Sequence, residues 1–158
     1  FWPIQAPLKL WSRWSWLLPK VRNKLMILIP DTNLLIRLLT GDDPQQFQQA
    51  EATFAQGNIF IPTTIVLETE WVLRYAYKFG TTAIMDAFEA LFGLPNVTLE
   101  EPNRVRQAMV WANAGIDFAD SLHLAAVKPD QQFATFDKKL IAKAQKFTDK
   151  QIVFPAED

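Results

Sequence analysis

Five short runs of strand character recur along the chain: "MILIP" (26–30), "NIFIP" (58–62), "NVTLEEP" (96–102), "QFATFD" (132–137) and "QIVFP" (151–155). The first two are continuously apolar, the pattern of a strand buried on both faces, and such strands belong to parallel sheets. Parallel neighbours need a crossover, and the segments between the runs have helical length and spacing. "NLLIRLLTG" stops at Gly41, and "DDPQQFQQAEATFAQG" places Asp43 as N-cap before Pro44 and ends at Gly57. In "TTIVLETEWVLRYAYKFG" Ile65, Leu67, Glu68, Trp71, Val72 and Tyr75 recur at helical spacing. "TTAIMDAFEALFGLP", with Thr81 or Thr82 as cap, "PNRVRQAMVWANAG", "FADSLHLAAVK" and "KKLIAKAQKF" follow. Strands alternating with helices predict an α/β sandwich around a mostly parallel sheet.

Composition narrows the class. With 158 residues, 49% of them hydrophobic, one globular domain with a sizeable core is expected. There is no cysteine, which removes disulfides, thiolate ligands and thiol catalysis, and suits a reducing, cytoplasmic setting. Residues 1–25 differ in kind. They hold Lys9, Arg13, Lys20, Arg22 and Lys24, no acidic residue, and four of the six tryptophans (Trp2, Trp11, Trp14 and Trp16). Trp beside Lys and Arg fits a membrane-surface helix, yet Pro3, Pro7 and Pro19 interrupt one. The segment also lacks the long apolar stretch and small-residue site of a secretory signal. Residues 1–25 are therefore read as an extension outside the fold, and 26–158 as the domain. With five of the 16 basic residues and none of the 17 acidic ones in the extension, the domain has a net charge of about -6. No internal repeat, linker or membrane-spanning stretch is seen in it.

Two of the strands run into an aspartate: "MILIP" into Asp31 and "QFATF" into Asp137. Ligands of open parallel sheets gather beyond the carboxyl ends of the strands, so these two acids are expected to share a pocket. Glu68 in "VLETEWVL" and Asp120 in "IDFADSLHLA" join them from helices, with Asp117 one turn before Asp120. Carboxylates gathered this closely resist ionising together unless a cation compensates. All-oxygen ligation, with His123 the only histidine, favours Mg²⁺ or Mn²⁺ over Zn²⁺. Such an ion keeps several waters and neutralises charge developing on a phosphate, which is the chemistry of phosphodiester hydrolysis.

"IPDTNLLIRLL", "PTTIVLETEWVL", "FADSLHLAAV" and "TFDKKL", in this order, resemble the PIN domain family, and more closely the VapC toxins of bacterial toxin–antitoxin pairs. The resemblance covers roughly residues 26–155. It implies a PIN-like three-layer sandwich with a central, mostly parallel sheet of four to five strands flanked by helices. It also implies Mg²⁺- or Mn²⁺-dependent endoribonuclease activity on RNA, a cognate antitoxin that blocks the site, and a homodimer. Carried over by position, Asp31, Glu68, Asp120 and Asp137 are the metal ligands, with Glu70 as the competing register for Glu68. Asn33, Asp117 and Thr135 are the polar helpers that orient water or ligands. Pro30 departs from the pattern, which is tolerable at a strand's last position.

Each residue also has an ordinary structural reading. Asp31 and Asp117 are natural helix caps, Glu68 is a plausible exposed charge, Thr135 a plain strand residue, and His123 a structural or surface residue rather than a general base. For RNA, the acidic domain needs a local basic rim, for which Lys138, Lys139, Lys143 and Lys146 on one helix, with Arg37 and Arg74, are available. A haloacid-dehalogenase-like phosphatase would need an aspartate where Asn33 stands, and a response-regulator receiver would need an acidic pair before its strand-end aspartate. A catalytically silent interaction module would be marked by loss of one of the four acids, and all four are present.

Overall fold

The computed structural model describes residues 26–155; the extension read into residues 1–25 lies outside them. The chain divides after Glu100 into two compact units.

In the N-terminal unit β1 (Ile27–Leu28), β2 (Asn58–Ile61) and β3 (Val97–Leu99) form a parallel sheet in the order β1-β2-β3, with Ile27 opposite Asn58 and Ile59 opposite Val97. Helices α1 (Thr32–Thr40) and α2 (Pro44–Gln56) connect β1 to β2, and α3 (Thr63–Tyr75) and α4 (Thr81–Phe92) connect β2 to β3. The strand ends match the sequence reading, whereas two-sided burial does not hold. β1 is an edge strand, and Met26, Ile27 and Ile29 are exposed. β2 buries Ile59 and Ile61 on one face and leaves Asn58 and Phe60 half-buried. Pro30 lies past the last ladder residue of β1, so its missing N–H costs the sheet nothing. The core is built from Leu35, Leu39, Phe54, Ile59, Ile61, Val66, Leu73, Ile84, Phe88 and Leu91, all essentially inaccessible to solvent.

Helix ends follow local chemistry with two exceptions. Gly41 closes α1 at φ 61°, a left-handed conformation that glycine reaches without a Cβ penalty. Asp43 caps α2 through Gln46 N, with Pro44 in the first turn, as the sequence predicts. Gly80, and neither Thr81 nor Thr82, is the N-cap of α4, because both threonines are already helical. The α3 N-terminus has no cap from its own Pro62; Thr63 N donates instead to Glu100 Oε2 at 2.8 Å. Asn96 joins two elements from a buried position, its Nδ2 donating to Phe54 O at 2.6 Å and Gly57 O at 2.8 Å. Asn96→Ala would leave both carbonyls without that donor, and we expect a loss of about 2 kcal/mol, read from the urea midpoint at unchanged slope.

In the C-terminal unit α5 (Pro102–Asn113) packs on α6 (Phe118–Ala125), and α7 (Lys138–Phe147) links the parallel pair β4 (Phe133–Ala134) and β5 (Ile152–Val153). Its core joins Trp111, Ile116, Leu124, Leu140 and Ala144, with Phe133 and Ile152 of the strands packed against them. All five expected strands form, in all-parallel pairings and with helical connections: the architecture is α/β, expressed as a three-stranded and a two-stranded sheet. Among the described residues no helix is long and apolar enough to cross a membrane.

Candidate active site

In the N-terminal unit the residue after β1 and Pro30 starts a helix. Asp31 holds extended backbone (φ -80°, ψ 172°) as the α1 N-cap, and its Oδ1 accepts from Leu34 N at 2.8 Å. Thr32, buried at the first helical position, donates from Oγ1 to Glu68 Oε2 at 2.5 Å. A carboxylate from the middle of α3 is thereby held beside the α1 N-terminus, where the helix dipole favours negative charge. Thr32 had no role in the sequence reading; its only sequence signal is a hydroxyl directly after the strand-end aspartate. The two α3 glutamates differ in their surroundings. Glu68 is exposed and bonded to Thr32, whereas Glu70 is 1% exposed and ion-paired with Arg74 at 2.9 Å. Asn33 is exposed on α1 and borders a groove with Arg37, Gln46 and Thr53.

The C-terminal unit gathers three aspartates. Asp117 caps α6, its Oδ1 accepting from Ala119 N at 2.9 Å and Asp120 N at 3.5 Å. Asp137 caps α7 in the same manner, through Lys139 N at 2.8 Å and Leu140 N at 3.0 Å. Thr135 Oγ1 accepts from Asp137 N at 3.0 Å, so the threonine shapes the turn that presents this carboxylate. Asp120, on the first turn of α6, is half-buried. Burial pushes its carboxyl above the ordinary aspartate range, the charges of Asp117 and Asp137 push it further, and His123 and Lys143 only partly oppose them. His123 is exposed and stacks on Phe133 at 6.4 Å, which bears out its reading as a surface residue.

Part of the expected basic rim is committed elsewhere. Arg37 pairs with Asp42 at 2.5 Å and bonds Gln46 and Tyr77; the Asp42 bond raises its pKa against the opposing effect of burial. Burial pushes the Asp42 carboxyl up, but hydrogen bonds from Tyr77, Arg37 and Thr40 outweigh it and hold it below the usual carboxylate range. Arg74 is occupied by Glu70. Neither arginine is a spare cation for a phosphate, because each neutralises a nearby acid. The lysines of α7 keep the role open: Lys138, Lys139, Lys143 and Lys146 are all exposed, and Lys143 Nζ reaches Gly115 O at 2.6 Å.

The donor chemistry suits a hard divalent cation: the acids are carboxylates, and in the C-terminal unit burial, with the charges of Asp117 and Asp137, already disfavours the charge on Asp120. Among the described residues no three His, Asp or Glu side chains stand close enough together to hold an ion as they are placed.

No curated protein matches the chain, and no solved structure does. The family model described as PIN domain matches residues 28–146, about three quarters of the chain. That stretch includes the Asp31 turn, Glu68, the Asp117 and Asp120 helix and the Asp137 turn. Members of this family are generally nucleases that hydrolyse phosphodiester bonds, usually with a divalent metal. The chain belongs to the PIN domain family, and its general function is that of a nuclease.

Proposed function

We propose that the protein is a Mg²⁺- or Mn²⁺-dependent endoribonuclease and the toxin of a toxin–antitoxin pair, similar to the VapC toxins, with a cognate antitoxin as its partner. The observation that carries this reading is the aspartate group of the C-terminal unit. A carboxylate kept half-buried beside two others is costly to ionise, and binding a divalent cation removes that cost. In the N-terminal unit Asp31 and Glu68, and in the C-terminal unit Asp120 and Asp137, supply the metal-binding oxygens. When bound, the cation supplies positive charge to the scissile phosphate and lowers the pKa of water.

The chain's own groups do the positioning. The backbone N–H groups of α1 and α7 fix one oxygen of Asp31 and of Asp137. Thr32 holds Glu68 by its Oε2, and Thr135 sets the Asp137 turn. Asp117 orders the first turn of α6 and adds negative charge beside Asp120, while Asn33 offers a polar contact on the first turn of α1.

The test is cleavage of a mixed cellular RNA pool by the full chain with Mg²⁺, with Mn²⁺ and with chelator, beside Asp31→Asn. Asparagine keeps the cap acceptor and loses the charge. We expect discrete metal-dependent fragments from the wild type and none from the variant, at unchanged circular dichroism. If both proteins were equally inert while folded and metal-bound, the chain would be an interaction module and the nuclease proposal would fall.

A further inference from the structure

Phe136 is 75% exposed, more than any other large apolar side chain among the described residues, and it directly precedes Asp137. Phe154, 44% exposed, stands against it edge to face, with ring centroids 5.5 Å apart and planes at 84°. The two rings meet just past the end of the strand pair: Ala134 is opposite Val153 in the last ladder position, Thr135 N donates to Val153 O at 3.0 Å, and Phe136 and Phe154 follow within two residues. Lys138 Nζ lies 5.3 Å from the Phe154 centroid, a cation–π contact, and Lys139 is exposed next to it. Of the 11 basic residues in 26–158, eight lie in 101–158, four of them on α7 directly after Asp137.

Exposed rings with lysines at their side are costly to keep in water and match one kind of ligand well. A single-stranded nucleic acid presents flat, apolar base faces strung on a polyanion, and aromatic platforms flanked by cations are how such strands are held without sequence readout. We propose that Phe136 and Phe154, with Lys138, form a stacking seat for an unpaired base of single-stranded RNA. The seat lies beside Asp137, so a seated base carries its neighbouring phosphate towards that carboxylate. A paired base, closed on both faces by its stack, cannot occupy it, so the seat selects loops and unpaired segments. The inference rests on the nuclease reading and adds the residues that seat the strand.

The test separates the π-face from apolar bulk. Anisotropy of a labelled oligouridine is measured in chelator, with an abasic oligomer of equal charge as control, for the full chain and for Phe136→Leu with Phe154→Leu. Stacking is worth roughly 1–3 kcal/mol per base, so the double leucine variant is expected to bind the oligouridine on the order of tenfold more weakly. Its affinity for the abasic oligomer is expected to be unchanged, and Phe136→Trp is expected to retain full affinity. Lys138→Gln is expected to weaken both oligomers alike. Equal oligouridine binding by wild type and double variant overturns the seat; if the wild type still cuts the RNA pool, the nuclease reading survives. Weaker oligouridine binding by the double variant, with a wild type that cuts nothing, upholds the seat and removes the nuclease. No oligouridine binding by the wild type overturns the seat outright.

Discussion

Asp120→Asn is expected to lose cleavage by on the order of a hundredfold or more and, in the metal-free protein, to raise the thermal midpoint by a few degrees. The two effects have one cause. Ionised Asp120 is half-buried with Asp117 and Asp137 acting on it, and its carboxyl is held above the ordinary range by burial first and those charges second. The folded state therefore binds the Asp120 proton more tightly than the unfolded chain does. Stability falls as pH rises from the ordinary aspartate value through the raised folded one, and the deficit is complete above the raised value. Asparagine removes that deficit near neutrality and gives no gain at pH values where the aspartate is protonated in both states. Activity moves the opposite way, because a ligand charge worth several kcal/mol to the phosphate chemistry is gone. Thermal melts of both proteins in chelator at neutral and acid pH, beside RNA cleavage in Mg²⁺, check it. A variant less stable than wild type at neutral pH would refute the electrostatic account.

Phe118→Ala is expected to lose activity with the opposite sign in stability. Phe118 is the first residue of α6, fully buried between the Asp117 cap and Asp120. Truncating a buried phenylalanine removes its transfer free energy and leaves a cavity, together about 3–5 kcal/mol. That is a large fraction of the stability of an ordinary domain. Because the same turn carries two of the three aspartates, cleavage is expected to fall with the fold. Phe118→Leu, which fills most of the volume, is expected to cost about 1 kcal/mol and to keep activity. Urea midpoints for the three proteins decide the matter: an alanine variant as stable as the leucine one would mean that the ring is not packed as described.

What was legible in advance was what local rules govern. The Asp43-Pro44 start of α2, the Gly41 stop of α1 and the five strand positions follow from caps, glycine and apolar runs that act within a few residues. The caps at Asp31 and Asp117 are local in the same way, since each carboxylate bonds N–H groups within three residues ahead. Contacts across the chain were not legible. Thr32 and Glu68 are 36 residues apart, and nothing within a few residues of either foretells their bond. Arg37 looked available until Tyr77, 40 residues on, and Asp42 were seen to hold it. The apolar run at Met26 suggested burial, but its place at the sheet edge decides exposure, and edge position is a property of strand order that no single run contains.

Asp31, Asp117 and Asp137 all spend Oδ1 on the opening N–H groups of the helices they precede. Their aim is thus written in the main chain, and the surrounding side chains can be exchanged without redirecting them. Lineages that share little beyond these turns can drift far in sequence and still present the same acids. The turns are also portable: a strand end, an aspartate and a helix start are all that a designer would have to graft to move one such carboxylate into another parallel-sheet scaffold.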